Sequence, residues 1–401
     1  MSPAMVERLS DLLSQVTGYI YPNEIEVYWS ILIVVYPYIT GLVAGAFILA
    51  SLVKVFNVKE VQPTYRLALL TALAFLIIAP LPLLLHLGHP ERSYEIFLTP
   101  NFSSAMAMFG FVYAWYLMVV LLLEIWFEYR RDMITWAKEE KFPYNWLYKI
   151  LSLFSHDLSD KAIAFDKKAI KVITIVGIPS AFILHGYVGF IFGSVKANPF
   201  WSSVLMPIVF LFSAIVSGIA LILLLYMIIT PSKGEKIDMK CVDKIASFLL
   251  YAVIVDFSLE VLDFIHRLYE SEESITILSK LLLNKIFVSF FVVQILVGML
   301  LPLGILIIIK IFKLNTELRK LLYFVSAILI QVGIFTTRWN VVIGGQMFSK
   351  SFRGLTTYKM EMGGLEGLVT AIILLIVPFV ILAVLLKILP PGGKKRALPD
   401  Q

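Results

Sequence analysis

Histidines are the side chains of this sequence best placed to transfer protons, because they lie near the ends of long apolar segments. His86 ends the second of these segments, and His185 lies near the end of the fourth. Histidine gains and loses a proton near neutral pH, which suits a base that takes protons from a substrate. The alternative is a residue that contacts head-group water at a membrane interface, an interpretation that also fits His89 and His266.

Three carboxylates form a second candidate group, in the sixth apolar segment. Asp256, Glu260 and Asp263 are followed by Arg267, and this spacing places all four side chains on one face of a helix. Charged side chains are costly in lipid, so this face must meet the interior of a helix bundle or a water-filled path. The pattern predicts either a proton path or ion pairs that hold helices together.

Two further charged residues extend this group. Glu124 lies near the inner end of the third apolar segment, where it would be the entry of a proton path. Arg338 ends the eighth segment, where a guanidinium either snorkels to the membrane interface or pairs with a carboxylate of the sixth segment. The predicted proton path therefore consists of Glu124, Asp256, Glu260, Asp263 and Arg338.

The composition indicates that membrane-spanning helices position these residues. Hydrophobic residues make up 59% of the 401 positions and charged residues 15%, whereas soluble domains have about 45–50% and about 25%. The net charge of +6 is spread over many loops, which favours anionic lipid over nucleic acid as the partner. A single cysteine, Cys241, cannot form a disulfide, an Fe–S cluster or a multi-thiolate zinc site.

Segment length predicts an all-α, polytopic membrane helix bundle. A hydrocarbon core of about 30 Å requires roughly 20 apolar residues per helix. The apolar runs are continuous rather than alternating, which excludes a β-barrel. The sequence contains about nine such segments, near 27–52, 66–87, 105–128, 167–192, 200–229, 246–268, 285–311, 318–337 and 366–388.

Lysine and arginine concentrate in alternate loops, which predicts the orientation. The positive-inside rule places the N-terminal segment 1–26 outside and the tail 389–401 in the cytoplasm. Between them lie a first bundle, 27–229, and a second, 246–388. The longest inner loop, 129–166, is expected to contain an amphipathic helix in the inner interface. Its apolar residues at helical spacing are Trp146, Leu147, Ile150, Leu151 and Phe154.

Three motifs give this chain a resemblance to a known family. They are HLGHPER at 86–92 followed by TPNFSS at 99–104, the stretch from His185 to Trp201, and RWNVVIGGQ at 338–346. Together they resemble the signatures of the NrfD/PsrC family, the membrane subunits of polysulfide, tetrathionate and sulfur reductases and of related hydrogenases. The resemblance covers about 27–388. His89 departs from it, because many relatives have arginine there.

The resemblance implies a subunit that exchanges electrons with menaquinol or another quinone and holds no haem or Fe–S cluster of its own. It implies an extracytoplasmic Fe–S partner and a molybdopterin or nickel–iron catalytic subunit, in the cytoplasmic (inner) membrane. Outer loops, above all 338–365, would bind that partner, since Lys350, Arg353 and Lys359 lie on the side expected to be poor in positive charge. We expect nine spans rather than the eight of the simplest members, with the extra helix at the C-terminal end.

The quinone site is expected at the outer ends of the first four spans, around His86 and His185 as catalytic bases. Arg92, Tyr38 and Tyr113 are expected to shape it or to donate hydrogen bonds to the quinone. A quinone-reducing hydrogenase subunit keeps the same site with electrons flowing the other way.

Two alternatives keep the fold and change the function. One is a transporter or proton channel along the carboxylates of the sixth span, although no broken-helix pair or inverted repeat is evident. The other is a b-type cytochrome with His185 and His266 as axial ligands.

Overall fold

The computed structural model describes residues 3–101, 103, 105–139, 141, 143–270 and 274–392. Within these ranges, nine helices are long and apolar enough to cross a membrane, which confirms the predicted all-α, polytopic bundle. They are Leu32–Lys54, Lys59–His86, Gly110–Glu139, Asp160–Gly193, Met206–Ser232, Met239–Arg267, Val288–Ile311, Thr316–Gly344 and Leu368–Ile388. The chain is therefore a multi-pass integral membrane protein. Its predicted tail lies largely outside the described residues, as do Phe102 and Ser104 of the first motif.

The helical elements are numbered in chain order. They are α1 (Pro3–Gln15), α2 (Leu32–Lys54), α3 (Tyr65–Ile78), α4 (Leu81–His86), α5 (Glu95–Leu98), α6 (Ala105–Trp115), α7 (Leu123–Glu139), α8 (Tyr144–Leu151), α9 (Asp160–Gly193), α10 (Met206–Ser232), α11 (Met239–Glu270), α12 (Ile275–Lys280), α13 (Leu301–Ile311), α14 (Thr316–Trp339) and α15 (Leu368–Ile388). Short 3₁₀ helices span Pro22–Glu24, Lys59–Thr64 and Pro90–Arg92. Four π-helical stretches span Tyr116–Leu122, Leu281–Lys285, Val288–Leu300 and Asn340–Gly344.

Two glycines bring the central helices together. The most apolar stretch of α2 is 83% buried inside the protein, compared with 22% for α15, so α2 is central and α15 peripheral. A Cβ atom added to Gly45 of α2 would lie 2.8 Å from the Cα atom of Gly218 in α10. Only residues without side chains permit such an approach, as expected for a small-residue motif in a membrane helix. Gly41, one turn earlier, faces the ring of His185 instead.

Prolines divide the second span just before its histidine. Pro80 lies between α3 and the short α4, and Pro82 is the second residue of α4, which ends at His86. A proline has no backbone N–H and clashes with the preceding turn, so the helix is interrupted here. His86 therefore ends a short helix of six residues at the end of the bundle predicted to face outward, called the outer end below.

The inner loop is shorter than the sequence indicates. α7 continues to Glu139 and α9 begins at Asp160, so only residues 140–159 connect them, of which 140 and 142 lie outside the described residues. The predicted amphipathic helix exists as α8, but it ends at Leu151 and leaves Phe154 beyond it. The Tyr148 hydroxyl donates to the carbonyl of Ile388, 2.8 Å away, which fastens α8 to the end of α15. Trp146 remains 57% exposed and available to the membrane interface.

The predicted outer loop 338–365 is helical as far as Gly344, because the eighth span continues into a π-helical stretch. The rest of this loop folds against the N-terminal segment at the outer end. Strand β1 (Thr17–Gly18) pairs antiparallel with β2 (Gly354–Leu355). Lys359 lies 3.4 Å from Asp11, and Lys350 lies 4.0 Å from Glu24. Lys350 and Lys359 are two of the three cations that were expected to contact an acidic partner. Both thus already lie near carboxylates of this chain.

Candidate functional site

His86 and Glu366 form a histidine–carboxylate pair at the outer end. The Nδ1 atom of His86 lies 2.5 Å from Oε2 of Glu366 and 3.4 Å from the hydroxyl of Ser30. The His86 side chain is 23% exposed and that of Glu366 is 40% exposed, so the pair is open to the surroundings. The contacts of the described residues all use Nδ1, which leaves Nε2 available to take a proton from a substrate.

His185 occupies a fully buried position between three helices. Its Nδ1 atom lies 3.3 Å from the hydroxyl of Thr40, and its Nε2 atom lies 3.2 Å from Nη2 of Arg338. The ring also stacks on Phe210, with centroids 6.0 Å apart. Both ring nitrogens therefore have protein partners, an arrangement that suits a hydrogen-bonding role better than axial ligation of a haem.

Arg338 is completely buried and does not snorkel, so that alternative is wrong. Its Nη2 atom donates to the Ser213 hydroxyl at 2.6 Å and to the Phe210 carbonyl at 3.2 Å, and the guanidinium lies 4.0 Å from the Phe210 ring centroid. Its Nε and Nη1 atoms have no partner among the described residues. No ion pair of Arg338 with Glu260 or Asp263 is found in that part of the chain, so the predicted pairing is also absent there.

The three residues predicted to help His86 and His185 bind quinone make separate contacts. Arg92 is exposed and its guanidinium donates to Glu95 at 3.0 and 3.1 Å, which holds the pKa of that carboxyl below its ordinary value. The Tyr38 hydroxyl donates to Oε1 of Gln331 at 2.7 Å. The Tyr113 hydroxyl donates to a backbone carbonyl of α3 at 2.8 Å. Among the described residues, His86 and His185 share no hydrogen-bond partner, so the structure places the two predicted bases in separate groups.

The carboxylates of α11 differ in their surroundings. Asp256 is 1% exposed, and its Oδ1 atom has no partner within the described ranges. Oε2 of Glu260 accepts from the side-chain amide of Gln294 at 3.0 Å. Asp263 pairs with Arg267 one turn later, with Nε 2.9 Å from Oδ2. The ion-pair alternative thus holds for Asp263, whereas Asp256 and Glu260 remain without a cationic partner at ion-pair distance in the described chain.

Glu124 belongs to a separate polar group near the inner end. It is fully buried, and its Oε1 atom accepts from the hydroxyls of Tyr65 at 2.9 Å and Thr174 at 2.8 Å. The Lys54 ammonium lies 4.3 Å from the Tyr65 ring centroid and 2.8 Å from a carboxylate oxygen of Glu128. A charged cluster at the inner surface thus connects to Glu124 through Tyr65. No described hydrogen bond joins this group to the α11 carboxylates.

Several polar residues of these groups were missed in the sequence. Glu366, Thr40, Ser213 and Gln294 each contact a residue that the sequence singled out, and Asn340 donates to Gln294. Asn340 lies inside the RWNVVIGGQ motif, and its π-helical turn departs from regular helix geometry, a frequent feature of functional sites. The others carry no local signal, because their partners are distant in the sequence.

The family is shown by comparison with known proteins. The family model described as polysulphide reductase, NrfD matches residues 22–350, which is most of the chain. The chain belongs to this family, as the three motifs predicted.

Individual relatives are subunits of oxidoreductases. A selenate reductase subunit of Mesobacillus selenatarsenatis is 32% identical over 79% of this chain and 73% of its own length. The Hdr-like menaquinol oxidoreductase integral membrane subunit of Archaeoglobus fulgidus is 25% identical over 86% of this chain and 77% of its own. A putative dimethyl sulfoxide reductase membrane subunit of Halobacterium salinarum is 28% identical over 52% of this chain and 46% of its own.

Proposed function

We propose that this chain is the membrane subunit of a respiratory oxidoreductase that takes electrons from menaquinol or another quinol at its outer end. The electrons pass to an Fe–S partner subunit and on to a molybdopterin catalytic subunit. Membership of the NrfD family and the names of the relatives support this assignment. One cysteine leaves the chain without ligands for an Fe–S cluster of its own, so a partner must take the electrons.

The pair of His86 and Glu366 is the observation that carries this proposal. Oxidation of a quinol to a quinone removes two electrons and two protons, so the site needs a proton acceptor beside the hydroxyl groups. His86 takes a proton on Nε2, while the carboxylate 2.5 Å from Nδ1 orients the ring and stabilises the imidazolium that forms. The outer end is also the side on which the family resemblance implies an Fe–S partner.

The buried group around His185 gives the proposal its second part. His185 and Arg338 connect α9 with α14 beside Thr40 of α2, close to the outer ends of these helices. We assign them to positioning the outer half of the bundle and to the end of a proton path. Asp256 and Glu260 form its middle, and Glu124 forms its inner entry. Support for this path comes from carboxylate oxygens of all three residues that are buried without partners among the described residues.

The membrane and the orientation follow from the same proposal. We place the chain in the cytoplasmic membrane with the N-terminal segment outside and residues 389–401 in the cytoplasm. The segment then lies on the side of the Fe–S partner, where β1 and β2 join it to the loop 338–365.

Replacement of His86 tests this function. In the intact complex, His86→Ala is expected to lower quinol-dependent turnover by about 10²–10⁴-fold, the usual contribution of a positioned base. Glu366→Gln should have a smaller effect in the same direction. His89→Ala is the matched control, because His89 lies three residues on, is 76% exposed and pairs only with nearby Glu91 among the described residues.

The outcome separates the proposal from its alternatives. Normal turnover in His86→Ala would refute the site. A Soret band lost on replacing His185 would instead establish a b-type cytochrome. Solute flux without quinol would establish a transporter. Reduction of quinone with hydrogen as the electron donor would identify a hydrogenase subunit, in which electrons flow toward quinone.

A further inference from the structure

The carboxylate partner of His86 comes from a part of the chain outside the family match. The family model matches residues 22–350, whereas Glu366 lies in the glycine-rich loop 361–367 that precedes α15. α15 packs against α3 and contacts α4, the short helix that ends at His86. The loop before α15 thus adds an acidic group to a histidine that belongs to a family motif.

The geometry of this loop sets the position of Glu366. Gly364 has a φ of +87°, in a region that glycine adopts more readily than other residues. A Cβ atom at Gly367 would overlap the carbonyl oxygen of Gly363, so the backbone closes on itself there. The hydroxyl of Thr370 in α15 donates to the carbonyl of Gly364 at 2.8 Å. The loop is therefore a closed turn that holds Glu366 in a defined place.

Glu366 lies between His86 and the water at the outer end. Its Oε2 atom is 2.5 Å from Nδ1 of His86, and its side chain is 40% exposed, compared with 23% for His86. Glu361, at the start of the same loop, lies 3.8 Å from Arg8, and both of these side chains are exposed. Exposed charged side chains are costly in lipid, so this part of the surface faces water. The carboxylate of Glu366 therefore contacts the histidine on one side and is open to water on the other.

We propose that Glu366 passes the protons of the quinol from His86 to the water outside. The inference rests on the proposed function, because the proton is the one that Nε2 of His86 takes from a quinol hydroxyl. After Nε2 gains this proton, the proton on Nδ1 moves to Oε2 of Glu366, which then releases it to water. The neutral ring regains its starting tautomer by exchange with water. Two such transfers remove both protons of the quinol, while its two electrons leave to the partner.

A carboxylate that only positioned the ring would meet a different requirement. Orientation of the ring and stabilisation of the imidazolium need an anionic oxygen near Nδ1, whereas transfer needs an oxygen basic enough to bind a proton. The two roles are separable with small anions, because truncation of the exposed Glu366 side chain leaves space that a carboxylate from solution can enter. Acetate binds protons readily, and trifluoroacetate has the same charge but scarcely binds them.

Replacement of Glu366 by alanine in the intact complex provides the test. Glu366→Ala is expected to lower quinol-dependent turnover by about tenfold, because His86 then passes its protons only to water. Acetate should restore most of this activity, whereas trifluoroacetate and chloride at the same ionic strength should not. Equal rescue by acetate and trifluoroacetate, or no rescue by acetate, would overturn the transfer role. If Glu366→Ala does not assemble, Glu366→Ser leaves similar space and decides by the same comparison.

Glu91 supplies a matched control. Its Oε1 atom lies 3.0 Å from Nδ1 of His89, and both side chains are exposed, so it forms the same kind of pair outside the proposed site. Glu91→Ala should turn over quinol as wild type does and should not respond to acetate. A loss equal to that in Glu366→Ala, with the same recovery in acetate, would assign the effect to the charge of the outer surface and overturn the proposal.

The His86→Ala variant separates this inference from the proposed function. It should remain slow in acetate, because the group that takes the proton from quinol is missing. Normal turnover in His86→Ala would refute the proposed site, and the role of Glu366 with it. Slow turnover in His86→Ala, with acetate and trifluoroacetate equally effective in Glu366→Ala, would keep His86 as the base. Glu366 would then only position the ring, and the transfer role alone would be refuted.

Discussion

Nη2 of Arg338 lies 3.2 Å from Nε2 of His185, although 153 positions separate the two residues in the chain. The contact joins α14 of the second bundle to α9 of the first. A guanidinium is always a donor, so Nε2 must be the accepting nitrogen and Nδ1 carries the proton toward Thr40. Arg338 thus fixes the tautomer of His185 and holds its ring against Phe210.

Replacement of either partner of this contact should therefore impair turnover. His185→Ala in the intact complex is expected to lower quinol-dependent turnover by about 10²-fold, within the range for loss of a proton-transferring group. Arg338→Lys should also lower it, because an ammonium cannot reproduce the planar donor geometry of guanidinium. Thr71→Val serves as the control for a lost buried hydrogen bond, because the Thr71 hydroxyl donates only to the Leu67 carbonyl, 2.8 Å away, among the described residues. Turnover as high in His185→Ala as in Thr71→Val would rule out a role for His185.

Asp256 and Arg338 should compensate each other electrostatically. Both are buried, and Oδ1 of Asp256 and Nε and Nη1 of Arg338 have no hydrogen-bond partner among the described residues. Asp256→Asn and Arg338→Met should each reduce the thermal stability of the purified protein, because each leaves one buried charge without its counter-charge. Residues that interact in this way show coupling of about 0.5–3 kcal/mol in a double-mutant cycle. Strict additivity of the two losses in free energy of unfolding would show that the charges act independently.

The spans were predictable because each is decided by local hydropathy. Continuous apolar runs such as 27–52 and 366–388 correspond to α2 and α15, with shifts of a few residues at their ends. The exception is the inner loop 129–166, since α7 continues past the membrane with charged residues that hydropathy assigns to a loop. There, polar contacts rather than hydropathy support the helix: Arg66 donates to Glu128 at 2.9 Å and to Asp132 at 2.8 Å.

The groupings of the functional residues were less predictable, because they depend on pairing between distant helices. His86 is marked by its motif, but Glu366 is 280 residues away and lies in no motif. The i, i+4 spacing of α11 correctly suggested the local pair of Asp263 and Arg267. The same spacing gave no indication that Glu260 meets Gln294 from another span. Helical periodicity shows which face is polar, and only the packing shows what that face meets.

The contact between α2 and α10 gives a prediction about assembly. A Cβ atom at Gly45 would lie 2.1 Å from the carbonyl oxygen of Ala214, so Gly45→Ala forces two central helices apart. Overpacking of this kind costs about 1–3 kcal/mol. The thermal midpoint in detergent should fall, whereas Gly186→Ala should leave it unchanged, because a Cβ atom there meets no atom within 4 Å. Equal midpoints for the two variants would contradict the close approach of α2 and α10.

The proposed proton path is tested at its inner entry and at its middle. Oxidation of quinol at the outer end, with electrons leaving on the same side, moves no charge across the membrane. The buried carboxylates would supply the route for protons that cross from the cytoplasm. Glu124→Gln and Glu260→Gln keep the side-chain shape and remove the titratable group. Each should abolish proton uptake from the inner side of proteoliposomes, while electron transfer from quinol to an artificial acceptor continues.

The control for these variants is Glu317→Gln. The Glu317 side chain is 81% exposed near the inner end and pairs with Lys320, so its removal should change neither readout. Loss of assembly in Glu124→Gln would identify the contacts with Tyr65 and Thr174 as structural, since both hydroxyls donate to the carboxylate. Normal proton uptake in both carboxylate variants would eliminate the path. If proton uptake were lost in Glu260→Gln alone, the α11 carboxylates would remain in the path and its entry would lie elsewhere than Glu124. That result would agree with the absence of any described hydrogen bond between the Glu124 group and the α11 carboxylates.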